Sequence, residues 1–215
     1  PNPNLRPEKS RTFELGARGQ HGALQWLATA FTGRYRDFIE DQVAVGGTGT
    51  VADPLTFQSV KRGRVRLNGF ELEGRWALSP ATTLRASYGQ TEGRDTVLNQ
   101  PLNSVNPERL VLGLDHRLQQ WTLGARLTHT GAKEPGDIDR SNFAQQFAPP
   151  SWTTLDLSAS WQINRSTRLS AALQNLSNEK YWQWSNVQGL PGNSAVLDAF
   201  TAPGRSLALA LVTTF

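Results

Sequence analysis

Three histidines, His21, His116 and His129, are the side chains that could bind a metal ion through nitrogen. Cysteine and methionine are absent, which excludes disulfides, zinc knuckles and thiol nucleophiles. The histidines do not converge. His21 falls in a short turn, His116 near the turn at Gln119-Gln120, and His129 at the far end of the next strand. In that hairpin His116 pairs near Leu123 and His129 near Leu110, so they stand roughly 20 Å apart at the rise of a strand. They cannot share one ion. "GDID" (136–139) offers two acids, far short of a calcium cage. "GGTG" (46–49) is a flexible loop and not a phosphate cradle, since no helix follows it. Glu71 and Glu73 share a strand face, with no pocket to make them catalytic. No GxSxG or HExxH pattern occurs. The chain is expected not to be an enzyme.

The elements that hold these residues are strands. In "GRSLALALVTTF" (204–215), Leu207, Leu209 and Leu211 alternate with Ala208, Ala210 and Val212, the period of two that puts side chains on opposite faces. The same alternation predicts strands at 9–19, 23–39, 58–78, 83–92, 108–118, 121–130, 152–163, 168–182 and 205–215. Their connections alternate between short ones ("GQHG", "SPAT", "QQ", "NRST") and long ones around 40–57, 93–107, 131–151 and 183–204. That is an antiparallel up-and-down meander with all short turns at one end, the asymmetry of outer-membrane barrels. No apolar run approaches the 18 or so residues of a membrane-crossing helix. A mean hydropathy of -0.45 does not exclude a barrel, whose inner face is polar.

Aromatic residues mark both strand ends. Trp26, Trp76, Trp121, Trp161 and Phe215 lie near the short-turn level. Tyr35, Phe38, Tyr88, Trp152, Tyr181, Trp182 and Trp184 lie at the other. Two such belts are what a bilayer selects, because indole and phenol rings settle at headgroup level. Between them Leu110, Leu112 and Leu114 alternate with Arg109, Val111, Gly113 and Asp115, giving a lipid-compatible face and a wet one. Parity in 23–39 is ambiguous, because Leu24 and Trp26 disagree with Leu27 and Phe31, and a bulge is possible there. Nine strands left open would expose two unpaired edges, so a larger barrel is expected.

The net charge is +4, and the arginines are scattered except in "KRGRVR" (61–66). Scattering does not make a nucleic-acid footprint, so no nucleic acid is expected. Arg62, Arg64 and Arg66 share a face. If parity runs on to Phe70 they point outward, where lipid or lipopolysaccharide phosphates could pair with them. A bulge at Asn68-Gly69 would turn them inward, toward anionic cargo. The outward arrangement is expected.

Three stretches resemble the TonB-dependent outer-membrane receptors. "NPNLRPEKSRTFELG" (2–16) resembles the segment entering a mid-barrel strand, and its "NPNL" resembles the motif of the haem and haemoglobin uptake branch. "LQNLSNEKYW" (173–182) resembles the C-terminal receptor signature, with Ser177-Asn178 replacing the usual aromatic-Asp. "YWQWSNVQGL" (181–190), followed by "DAFTAPGR", resembles the last loop of the haem branch. The resemblance implies an all-β transmembrane barrel of about 22 strands, of which 1–215 would be the last nine, with the plug domain and first strands absent. It implies a receptor in the outer membrane of a Gram-negative bacterium, driven by the TonB energy-coupling complex through the plug. The cargo would be haem or a haem-carrying protein, with no covalently bound cofactor.

Asn2 and Asn4 of the motif, and Tyr181, Trp182 and Trp184, are the candidate ligand contacts, although girdle and loop packing also accounts for the three aromatics. A histidine can ligate haem alone, so His129 is a candidate. The iron-binding histidine usual in the haem branch is expected upstream of Pro1. A siderophore receptor is the alternative within the class. A soluble β-sandwich or propeller module binding carbohydrate is the alternative outside it.

Overall fold

The computed structural model describes residues 6–48, 50–141 and 143–214, so Asn2, Asn4 and Phe215 lie outside the described residues. The strands are β1 Lys9–His21, β2 Leu24–Gly46, β3 Thr56–Ala77, β4 Thr82–Asp95, the two-residue β5 Gln100–Pro101, β6 Arg109–Leu118, β7 Trp121–Thr130, β8 Trp152–Gln162, β9 Thr167–Gln174 and β10 Ser206–Thr213. All pair antiparallel in the order β1-β2-β3-β4-β6-β7-β8-β9-β10, with β5 beside β4. Each strand follows its neighbour without a crossover. The sheet does not close on itself, and β1 and β10 are its edges.

Turn chemistry sets the short-turn end. Gly22 has a φ of 56° between β1 and β2, and Gln119 a φ of 51° between β6 and β7, as two-residue hairpins require. Ser79 Oγ accepts the amides of Ala81 and Thr82. Asn164 Oδ1 accepts those of Ser166 and Thr167. These are local side-chain bonds that fold a chain back at a fixed point.

Register then sorts the faces. Ala28, Leu72, Tyr88 and Leu110 are successive cross-strand partners on one face, as are Trp26, Gly74, Ala86, Leu112, Leu127 and Leu155. The other face carries Leu27, Glu73, Ser87, Val111, Thr128 and Thr154 in the same way. The first face stays open: Leu15, Leu209 and Leu72 are 68%, 68% and 46% exposed. No second layer covers it among the described residues. The buried apolar residues, among them Val65, Leu102, Ile138, Trp184 and Val187, all sit at the long-loop end. Trp26, Trp76 and Trp121 are exposed on the leucine face near the short turns, and Trp121 stacks on Trp161 with ring centres 5.5 Å apart.

Several expectations change. β2 runs in unbroken register with β1 and β3 from Leu24 to Arg36, so no bulge interrupts it. Trp26 faces outward, and Leu27 and Phe31 face the concave side. Phe31 fits there because its partner is Gly69. Asn68-Gly69 pairs regularly on both sides and is no bulge. The break falls at Asp37, whose φ is 56°. Beyond it the alternation inverts, and Phe38 packs edge-on against the inward Tyr35 at 5.5 Å. β9 ends at Gln174 rather than near 182, because Asn175 and Asn178 take φ of 49° and 56°. Asn175 Nδ2 donates to the carbonyls of Glu179 and Pro203, and its Oδ1 accepts the Glu179 amide.

A Cβ at Gly69 would lie 2.5 Å from both the Phe31 ring and the Gln90 carbonyl oxygen, and the carbonyl belongs to the ladder and cannot yield. Gly69→Ala is expected to destabilise the sheet by about 1–3 kcal/mol, the usual overpacking cost. Denaturant unfolding of the full-length protein beside Gly74→Ala, which meets nothing within 4 Å, measures it. Equal stabilities of the two variants would contradict the packing.

Candidate functional site

The long-loop end holds the densest set of buried polar residues. Arg62 on β3 is 6% exposed and Glu40 on β2 is 0% exposed. Arg62 Nε donates to Glu40 Oε2 at 2.7 Å, and its Nη2 to Asp139 Oδ2 at 2.8 Å. Asp139 belongs to the loop joining β7 and β8. Its Oδ1 accepts the Ser141 amide and hydroxyl, and its carbonyl accepts Asn103 Nδ2 and Gln146 Nε2. Asn103 Oδ1 accepts the Asp139 amide in return. Glu40 Oε1 takes the Ser104 amide. Two connections and the ends of β2 and β3 thus meet on one arginine and one aspartate.

The fourth long connection joins through Trp184. Its indole N–H donates to the Asn103 carbonyl at 2.5 Å. Its ring packs with Ile138 and Val187 in a small apolar core edged by Phe147, Trp182 and Leu190. Lys133 lies 5.1 Å from the Trp184 ring centre and donates to the Val105 carbonyl. Burial lowers the Lys133 pKa to about 8, against smaller opposing effects of Asp137 and Glu40. Burial would raise that of Asp139, but the Ser141 hydroxyl and amide and the Arg62 guanidinium outweigh it and hold the carboxyl below its ordinary range. The arrangement makes no nucleophile. It fixes loops.

Below this cluster the concave face forms a trough of about 1100 Å³ lined by Arg18, Glu73, Arg85, Asp115, Arg126 and Asp156 among others. Arg85 and Asp115 form an ion pair there. The lining sets charges of both signs among apolar residues such as Leu27 and Val111.

The candidate site residues do not come together. Arg62 is not available to lipid phosphates: it is buried and ion-paired in the loop cluster, while Arg64 and Arg66 are exposed. Trp184 is 3% exposed and offers no surface to a ligand. Tyr181 packs tilted against Trp152 with ring centres 4.1 Å apart, and Trp182 packs edge-on to Phe147 while donating to the Leu197 carbonyl. These aromatics join loops instead of forming an outer belt. His129 pairs with Leu110 on the leucine face, and its Nδ1 lies 2.8 Å from Thr153 Oγ1. His116 is bonded to Thr82 at the turn end. No group of three metal-ligating side chains occurs among the described residues. The Glu40–Arg62–Asp139 cluster was not foreseen, since its members lie 22 and 77 residues apart. In the sequence Asp139 stands out only as one of the two acids of "GDID".

A family profile described as "TonB dependent receptor-like, beta-barrel" matches residues 1–176. Hemoglobin-haptoglobin utilization protein B of Neisseria meningitidis serogroup A is 30% identical, over 95% of this chain and 30% of its own length. A probable hemoglobin and hemoglobin-haptoglobin-binding protein of Haemophilus influenzae is 24% identical, over 100% of this chain and 25% of its own. Among solved structures the copper transporter OprC superposes with a TM-score of 0.81 at 20% identity, over 99% of this chain and 32% of that one. The chain spans about a third or less of these relatives.

Arg62→Met would leave the buried Glu40 and Asp139 carboxylates unpaired, an expected local cost of about 3–5 kcal/mol. Hydrogen exchange in the full-length protein should rise in 131–151 and around 103, and stay unchanged in β6 and β7. Unchanged protection in the loops would contradict the assignment. The pH dependence has two arms. The contribution of Asp139 is present above its ordinary pKa of 3.8 and is lost as pH falls through the lower folded value. Charged Lys133 opposes loop closure below about 8, and that opposition fades between about 8 and 10.5. Loop protection should therefore fall in strong acid and rise in mild alkali; a fall through the alkaline range would contradict the second arm.

Proposed function

The chain belongs to the TonB-dependent receptor β-barrel family, and on that premise we propose that it forms part of the wall of an outer-membrane receptor for haem or haemoglobin-derived iron. The observation that carries the cargo is the 30% identity to a hemoglobin-haptoglobin utilization protein along 95% of this chain. The leucine-bearing face meets lipid, and the concave trough meets a plug domain supplied by the rest of the protein. The antiparallel ladder supports this placement, because the strands between the edges β1 and β10 are paired on both sides, and the edges would pair with strands from the rest of the protein, as hydrocarbon demands. The mixed charges of the trough suit a removable polar plug better than a permanent apolar core. Haem is cargo in this reading. The long loops capture it or its carrier, the plug moves under force from the TonB complex, and no bond in the cargo is made or broken.

Haem titration of the full-length receptor should give a saturable shift of the Soret band, and haemoglobin should compete with it. Saturable binding of a ferric siderophore without a haem response would contradict the cargo. For the wall, Leu112→Arg at mid-strand should destabilise the folded receptor in bilayers by about 2–4 kcal/mol, while Val111→Arg on the concave face costs much less. Equal costs at the two neighbours would contradict the orientation.

A further inference from the structure

Register brings seven cations onto one face of four adjacent strands. Lys9 pairs with Arg36, and Arg36 with Arg64. One ladder step closer to the short turns, Arg11 pairs with Arg34, Arg34 with Arg66, and Arg66 with Arg94. The sequence scatters these residues over 86 positions, from Lys9 to Arg94. The sheet gathers them into two parallel rows about 7 Å apart, two residues along a strand. Within each row the neighbours are about 5 Å apart.

The rows lie on the leucine-bearing face, directly beyond the apolar band. The next step toward the turns is Phe13, Thr32, Asn68 and Glu92, and after it come Leu15, Ala30, Phe70 and Gln90. All seven cations are exposed. Among the described residues none of them makes a salt bridge, and Arg94 donates to Asn99. Of the nearby acids Asp37 pairs with Lys61 and Glu8 accepts the Ile39 amide, which leaves Glu92, one step toward the turns, facing seven cations. Like charges placed directly opposite across a ladder are destabilising. A sheet that sets cation against cation in two consecutive rows needs anions from outside the chain.

We infer that these two rows bind the phosphate groups of membrane lipid headgroups, those of a glycolipid bearing two or more phosphates above all. Guanidinium forks hold phosphate oxygens in pairs and are weakly hydrated for a cation. The rows sit where a headgroup would stand if the leucine band below them is in the acyl layer, so one lipid satisfies both features at once. A headgroup with separated phosphates spans both rows. Arg62 takes no part, since it is buried and ion-paired in the loop cluster.

The inference rests on the proposed placement of the wall in a membrane and not on the cargo. The test uses the full-length receptor in nonionic detergent. Native mass spectrometry compares retention of bisphosphorylated lipid A with that of its dephosphorylated form, and with inorganic phosphate as competitor. The phosphorylated lipid should bind at least about tenfold more tightly, and binding should weaken as salt rises. Arg34→Gln with Arg66→Gln should lose at least about tenfold, while the Arg34→Lys and Arg66→Lys pair, which keeps the charge but not the paired hydrogen bonds, should lose less. Excess inorganic phosphate should leave the lipid bound. Equal retention of the two lipid forms by the unaltered receptor overturns the inference without any variant having to fold. Undiminished binding by the glutamine variant overturns it also, and displacement by inorganic phosphate makes the site one for a free ion. An embedded receptor that ignores phosphate removes this inference alone. A protein that stays folded and monodisperse without detergent removes the membrane placement with it.

Discussion

The antiparallel ladder that runs from β1 to β10, in regular β2–β3 register as far as Glu40, is the constraint on which everything else depends. It satisfies the backbone of each long strand through its neighbours, and it fixes which side chains share a face. A slip of one residue anywhere along it would send leucines into the trough and arginines onto the band. The sheet has no second layer to correct such a slip among the described residues. Its specificity comes from turn geometry and from local fits such as Phe31 over Gly69 and Trp26 over Gly19. In a two-layer protein a packed core would share that task. Here the buried apolar residues collect at the long-loop end.

The two ends do different work for a physical reason. The short turns close on their own side chains and need nothing from neighbouring connections. The long connections are too long to order themselves, and they are ordered by one another. Arg62, Glu40 and Asp139 provide the charged part of that contact, and Ile138, Trp184 and Val187 the apolar part. Buried ion pairs contribute little net stability but strongly penalise misplacement of either partner. The cluster therefore specifies one arrangement of the loops above the trough.

Much of the wall was legible from period two alone. Leu110, Leu112 and Leu114 lie on one face and Arg109 and Val111 on the other, as their spacing requires, and the strand ends agree to within a few residues except at β2 and β9. Positive φ accounts for the end of β9 and for the change of facing within β2, although β2 itself runs on through Asp37 to Gly46. Asp37, Asn175 and Asn178 adopt positive φ, which Asp and Asn tolerate and which alternation cannot reveal. Arg62 pairs with Phe38, just past Asp37, and lies in the loop cluster instead of on the outer face. The cluster itself was illegible, because its members are joined only by the folded sheet. The cationic rows were hidden likewise: scattered arginines read as unpatterned until register lined them up.

Electron paramagnetic resonance of spin labels placed one at a time along 109–118, with the full-length receptor in bilayers, tests the two-faced wall most directly. The chain itself has no cysteine to interfere. Labels at 110, 112 and 114 should be open to dissolved oxygen and closed to a water-soluble relaxation agent, and labels at 109, 111, 113 and 115 should not share that lipid signature. Accessibility without a period of two, or with the phase reversed, would contradict the account.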